Sequence, residues 1–458
     1  IFFVCLGERS ELAGFPYHSL NTYLPKLVKA GERVAICDQL EDPKQTKKIV
    51  RRGVTELVTP GVSLNDEVLQ SKTNNFLCAV HFGKKGYGVG FLDVSTGEFL
   101  TAQGSEEYVD KLLQNFNPSE VLIPKKFKKQ FTENFGEDFH TFYLEDWVFQ
   151  PDYANETLNN HFQTNSLKGF CIEHLENGII ASGAILYYLS ETQHNKLQHI
   201  TSIARIAEEE YVCMDRFTIR NLELYQANSQ HAVTLLDVID KTISPMGGRM
   251  LKRWLALPLK NTEKIAQRHQ VVNHFMKNHA FQQGIQQQIK KIGDLERLIS
   301  KVATQKINPR EVVQLKNSLN AIVPIKELIA ETDNEALKVL GENLHACDLL
   351  RNKIEECLHD EAPVNIAKGN AVANGFSEEL DELRKIAFSG KDYLDKMVER
   401  EVEATGITSL KIASNNVFGY YIEVRNTHKS KVPETWVRKQ TLVSSERYIT
   451  EELKEYEA

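Results

Sequence analysis

A chain of 458 residues has room for about two to four domains, and 41% hydrophobic with 26% charged residues describes a protein with real cores. Its net charge of −7 excludes an all-over cationic coat, so any contact with a polyanion must rest on local clusters. No apolar run reaches roughly eighteen residues, so a membrane-spanning helix is not expected. The scattered Cys5, Cys37, Cys78, Cys171, Cys213, Cys347 and Cys357 contain no C-x-x-C pair, which argues against zinc and disulfides and for reduced thiols inside a cell.

Residues 1–65 read as a small α/β unit. Leu20, Leu24, Leu27 and Val28 recur at helical spacing, with Pro25 early in that helix and Gly31 placed to stop it. Residues 33–37 and 57–58 read as short strands. The chain opens at Ile1 rather than Met and the unit looks cut off, so a fragment is expected.

Residues 75–190 read as a fuller α/β domain. Strand-like runs at 75–80 and 87–94 are followed by the turn Ser95, Thr96, Gly97 and a third run at 98–102. A helix with Tyr108, Leu112 and Leu113 on one face precedes a buried strand at 121–123, and 181–189 reads as a closing helix apolar almost all round.

From about residue 200 the pattern turns helical. Leu235, Leu236, Ile239 and Ile243 are expected to share a buried face. So are Met250, Leu251, Trp254 and Leu255, and also Ile292, Leu295, Leu298, Ile299 and Val302. Ser377 is a plausible N-cap for a helix over 378–404, roughly 40 Å long at about 1.5 Å per residue, with Gly390 its weak point. Gly406 ends it, and the period switches to two, with Phe418, Tyr420, Ile422 and Val424 on one face. Pro433 is expected to return the backbone toward helix, and Thr450 with Glu451 and Glu452 to open the last one. A small β unit is thus inserted between two long helices.

Two basic clusters stand out. Lys44, Lys47, Lys48, Arg51 and Arg52 lie together with no acid among them. Between Lys411 and Arg447, seven Lys and Arg face three Glu, four net positive. Lys411, Arg425, His428, Lys429, Lys431, Arg438 and Lys439 are the candidates for phosphate contacts, with amides from Asn415 and Asn416. On charge alone, ordinary solvated surface stays open beside that reading, and no recognition helix for sequence-specific readout is present.

Catalytic readings fail on residue chemistry. The glycine cluster at residues 83–90 has the wrong spacing for a phosphate loop and reads as a hairpin. Asp93 lies on a strand of a domain that resembles a nuclease fold, but only Glu98 accompanies it, and capping the 95–97 turn is the better role. No catalytic or metal-binding set is assigned.

Several segments together resemble the bacterial MutS family of DNA mismatch-recognition proteins. They are Ala13, Gly14, Phe15, Pro16, Tyr17, His18; Val58, Thr59, Pro60, Gly61; and Ser244, Pro245, Met246, Gly247 running into Arg249, Met250, Leu251, Lys252, Arg253, Trp254, Leu255. Near the end come Gly419, Tyr420, Tyr421, Ile422, Glu423, Val424, then Arg438, Lys439, Gln440, Thr441, Leu442, then Glu446, Arg447, Tyr448, Ile449. Their order matches the family over nearly the whole chain.

The resemblance implies a multi-domain α/β and α fold. Residues 1–65 would be a remnant of the mismatch-reading domain and 75–190 a mixed α/β, ribonuclease H-like connector. Residues 200–390 would form a long-helix core with levers, 391–448 a small inserted β clamp, and 449–458 the returning core helix. It further implies duplex DNA with mispaired or unpaired bases as partner, a homodimer when intact, a downstream MutL-like protein, and a cytoplasmic, nucleoid-associated place with no membrane. The intact protein would be a DNA-dependent ATPase using ATP and Mg2+, with no enzyme activity or cofactor in this fragment. Asn415 and Asn416 would lie in the clamp near the DNA backbone. Three departures accompany the likeness: the family's mismatch-wedging Phe-x-Glu motif is missing ahead of Gly14, the chain stops at Ala458 before an ATPase, and Val443 with Ser444 replaces a common Lys-Asn. A helical protein–protein scaffold, or a clamp for junction and recombination DNA, are the competing functions.

Overall fold

The computed structural model describes residues 2–6, 11–41, 50–84, 86–192, 196–225, 227, 229, 232–415 and 419–457, with the backbone alone at 2–6, 11–13, 17, 387–391 and 457. It divides into two compact units, Ile1–Ala371 and Val372–Ala458. The architecture is a mixed α/β, multi-domain one with helical bundles and small sheets.

The first unit opens with β1 (Phe2–Leu6), β2 (Glu11–Ala13), α1 (Leu20–Lys29), β3 (Val34–Gln39) and β4 (Arg52–Val58), the strands forming an antiparallel sheet in the order β2-β1-β3-β4. Leu24 and Val28, one helical turn apart, are buried against Val34, Ile36, Val58 and Val68. Pro25 sits inside α1 without breaking it. Gly31 ends the turn at φ +90, and a Cβ there would also lie 2.8 Å from the His140 ring.

A six-stranded sheet follows. It is built from β5 (Leu77–Gly83), β6 (Gly86–Asp93), β7 (Glu98–Gly104), β8 (Glu120–Pro124), β9 (Thr141–Leu144) and β10 (Ala204–Arg205), in the order β10-β7-β6-β5-β8-β9. The β5–β6–β7 meander is antiparallel, while β8, β9 and β10 run parallel to their neighbours. Helices α2 (Glu106–Phe116) and α3 (Lys128–Phe135) cover one face, and α4 (Pro151–Phe162) and α5 (Glu176–Glu191) the other. Leu77 and Ala79 point to the α4/α5 side, Cys78 and Val80 to the α2/α3 side, so both faces are dry and the strand reads as continuously apolar. Asp93 does cap its turn: its carboxylate accepts from the Ser95 N–H (2.9 Å) and hydroxyl (2.7 Å), and Asn74 donates to both Asp93 and Glu98.

Nine helices complete the unit among the described residues: α6 (Arg216–Asn221), α7 (Leu235–Ile239), α8 (Pro245–Ala256), α9 (Thr262–Lys277), α10 (His279–Ile289), α11 (Leu295–Ala303), α12 (Pro309–Ala330), α13 (Glu335–Glu342) and α14 (Asp348–Cys357). α12 is the hub, packed by α10, α11, α13 and α14. Here the expected faces need correction. Leu235, Ile239 and Ile243 are exposed, as are Met250, Trp254, Ile299 and Val302. The buried side of α8 holds Gly248, Arg249 and Ala256, and that of α11 holds Arg297, Leu298 and Ser300.

Both arginines face a strap just ahead of β5. Arg249 donates to Ser71 O, and Arg297 to Gln70 O and Thr73 O. The guanidinium of Arg249 also forks onto Asp294 and Glu296 through four N–H groups at 2.6–3.1 Å, so that with the Ser71 bond all five are used.

The second unit is α15 (Glu378–Thr405), β11 (Lys411–Asn415), β12 (Gly419–Arg425), β13 (Val437–Thr441), β14 (Ser445–Ile449) and α16 (Glu451–Glu457). Ser377 caps α15 by accepting the Leu380 N–H, and the helix runs unbroken to Gly406, whose φ of +68 turns the chain out. Thr450 caps α16 through the Leu453 N–H. The helix expected after Pro433 is absent: that proline opens a tight turn to Trp436, and β13 and β14 follow.

Candidate nucleic-acid interface

The strands of the second unit form an antiparallel sheet in the order β11-β12-β14-β13. Because directly paired residues point to the same side, the register sorts the side chains. Ile412, Ile422, Tyr448 and Arg438 make one row, and Val424, Glu446 and Thr441 lie in another on that same face. This face carries the core, where Ile422, Val424 and Tyr448 pack with Met397, Ile407, Leu410, Trp436 and Leu453. The opposite face carries the row Lys411, Glu423, Arg447, Gln440, followed by Arg425 with Ser445.

The candidate cations therefore do not form one patch. Lys411 and Arg425 are exposed on the outer face. Lys429 and Arg438 converge instead on Glu446, which is only 2% exposed; its Oε1 accepts from Lys429 Nζ at 2.7 Å and Arg438 Nη1 at 3.4 Å. The Tyr448 hydroxyl donates to the other oxygen. These bonds, the Lys429 one first, hold the Glu446 carboxyl below its usual range. Tyr448 is pushed up to about 12, by burial first and then by Glu446.

Lys431 and Lys439 are exposed, Lys439 within a β-bulge, and His428 is half-buried. Among the described residues no ion pair holds Lys411, Arg425, Lys431 or Lys439. Asn415 is half-buried at the hairpin end of β11, paired in register with Gly419. Arg425 and Ser445 sit at the other end of β12, six residue steps or about 20 Å away. Asn416 lies outside the described residues, as do Phe418 and Lys44, Lys47 and Lys48 of the earlier basic run. Of that run's remainder, Arg51 pairs with Glu41 at 3.6 Å and Arg52 is exposed at the start of β4.

Tyr420 and Tyr421, aromatic residues that could otherwise stack on bases, both have internal partners. The Arg447 guanidinium lies 4.3 Å over the Tyr421 ring, and Tyr420 packs edge-on to Tyr456 at 5.5 Å. Sequence reasoning counted Arg447 and Glu446 only as charges. Arg447 is an organiser of the outer face, bonded to Glu423 (3.2 Å) and Gln440 (2.8 Å). The alternation of Glu446, Arg447 and Tyr448 along β14 is the signal that would have separated their faces.

The family model described as MutS domain III matches residues 217–455, more than half of the chain. The chain belongs to the MutS family. MutS domain II matches residues 75–201 and MutS domain I residues 5–67. The DNA mismatch repair protein MutS of Christiangramia forsetii is 74% identical over 452 residues, 99% of this chain and 52% of that protein. The MutS of Flavobacterium johnsoniae is 71% identical over 448 residues (98% of this chain, 52% of the relative), and that of Bacteroides fragilis 59% over 451 (98% and 52%). The chain thus spans about half the length of the curated MutS relatives it matches. No helix among the described residues is long and apolar enough to cross a membrane.

Proposed function

We propose that the second unit is a clamp that grips the backbone of duplex DNA, within a protein that recognises mispaired or unpaired bases for mismatch repair. The observation that carries this is the set of exposed cations Lys411, Arg425, Lys431 and Lys439, none held in an ion pair among the described residues, on a small β unit that follows a 28-residue helix. At about 1.5 Å per residue that helix is roughly 40 Å long, and the sheet packs along its last turns at Leu394, Met397, Val398 and Val402. Phosphates need displayed positive charge and donors rather than a pocket.

Residues 75–190 fit a ribonuclease H-like connector. An antiparallel β5–β6–β7 meander continued by parallel β8 and β9 supports that reading. ATP and Mg2+ use, a homodimer, a MutL-like partner and a nucleoid-associated place belong to the proposal for the whole protein. In the second patch, of whose residues Arg51 and Arg52 are described, Arg51 is already paired with Glu41, which makes it a weaker contact. A helical scaffold role is favoured by one observation: Leu383 and Ile386 are exposed one turn apart on α15.

Changing Lys411, Arg425, Lys431 and Lys439 together to Ala should weaken binding of the chain to any duplex. It should also flatten the dependence of log K on log salt by up to about 3.6, or 0.9 per contact. An unaltered affinity and slope would remove the clamp assignment.

A further inference from the structure

We infer that Glu446 is a positioning residue for phosphate contact, setting Lys429 and Arg438 as one two-pronged cation. The inference rests on the DNA-backbone reading above. A buried carboxylate is costly unless its lone pairs are satisfied, and among the described residues Glu446 is satisfied through these two cations and Tyr448. The three groups come from separate segments: Lys429 from the 3-10 turn Asn426–Lys431, Arg438 from β13, and Glu446 from β14. Without Glu446 nothing among the described residues ties the Lys429 head to the Arg438 head.

The arrangement leaves both cations usable. Their side chains remain 57% and 56% exposed, although the side chain of Glu446 beneath them is buried. Lys429 gives one of three N–H groups to Glu446, and Arg438 one of five. Both bond the same oxygen, so the two heads lie no farther apart than the sum of 2.7 and 3.4 Å. That spacing suits one phosphate, or two neighbours on a strand, and the side-chain entropy of bringing two flexible cations together is spent on folding rather than on binding. Lys429, held against a rigid sheet, is thereby a different donor from the exposed Lys431 two residues on.

The test opposes geometry to bulk charge. Glu446→Gln removes one negative charge beside the candidate DNA surface, so long-range electrostatics alone gives tighter binding. Positioning gives weaker binding, about fivefold at a fixed salt concentration, because the lost charge-assisted bonds no longer hold the pair. Glu446→Gln, Lys429→Ala/Arg438→Ala and the triple variant are compared in the full chain, on paired and mismatched duplexes across a salt series. Glu446→Gln should weaken wild-type binding and change nothing further in the Lys429→Ala/Arg438→Ala background. Tighter or unaltered binding by Glu446→Gln overturns the inference, and so does an equal loss in both backgrounds, which would reflect a general effect on the sheet. Tyr448→Phe, which leaves both ion pairs in place, should lose less than Glu446→Gln; an equal or larger loss also overturns it. If Lys411, Arg425, Lys431 and Lys439 prove to drive salt-dependent binding while Glu446→Gln is silent, only the positioning role fails. If the wild-type chain shows no salt-dependent duplex binding, the DNA reading itself fails.

Discussion

Replacing Arg249 by Met should destabilise the first unit by about 3 kcal/mol. The side chain is 4% exposed and its five N–H groups are all bonded, to Asp294, Glu296 and the Ser71 carbonyl. Removing one partner of a buried ion pair leaves the others uncompensated and costs about 3–5 kcal/mol. The lower end applies here for two reasons. Glu296 is 46% exposed and can rehydrate, so its share is small. Asp294, at 17% exposure, keeps the Arg297 Nε at 3.8 Å as a weaker partner. Urea unfolding of the full chain, followed by far-UV circular dichroism, reads the loss as a shift in the first transition. Amide exchange at residues 70–73 should quicken in parallel, because the strap loses its Arg249 bond. Adding Asp294→Asn keeps the N-cap of α11 and removes the stranded charge, so the double variant should recover about 1–2 kcal/mol. A single variant within about 1 kcal/mol of wild type, or no recovery in the double, would refute the reasoning.

Two further outcomes follow from the six-stranded sheet and its helices. Burial pushes His81 down to about 4, so the folded state prefers the neutral ring. The stability this contributes is complete above the unfolded value near 6.5 and is lost as pH falls toward 4; going from pH 7 to pH 5 should cost about 1–2 kcal/mol, and His81→Leu should flatten that slope. A Cβ at Gly88 would lie 2.0 Å from backbone atoms of Asn177 at the start of α5, where no side-chain rotation relieves the clash. Gly88→Ala should therefore destabilise by about 2–3 kcal/mol or prevent folding, whereas Gly136→Ala, with open space around it but a φ of +90, should cost only about 1 kcal/mol. Equal thermal midpoints for the two variants would contradict this difference.

Periodicity and punctuation were sufficient for local structure. The turn at Ser95, Thr96 and Gly97, the Ser377 and Thr450 caps, the Gly406 stop and the buried Tyr108, Leu112 and Leu113 face were all legible, because each depends on residues a few positions apart. Charge counting located the basic segment but misjudged its arrangement. Two of its cations fold onto Glu446, and Lys411 and Arg425 lie on the other side of the sheet.

β13 and β14 escaped notice because Arg438, Lys439, Glu446 and Arg447 interrupt the apolar alternation that marks a strand. The error in the helical region has the same origin. Met250 and Trp254 look like core and are exposed, whereas Arg249 and Arg297 are buried because carbonyls at residues 70–73 lie across from them. A one-dimensional pattern reports how a segment would partition between water and oil. It determined here which segments become helices and most of the strands, and to which family they belong. Which charges are buried depends on acceptors supplied by segments up to 227 residues away, and only the tertiary structure brings those together.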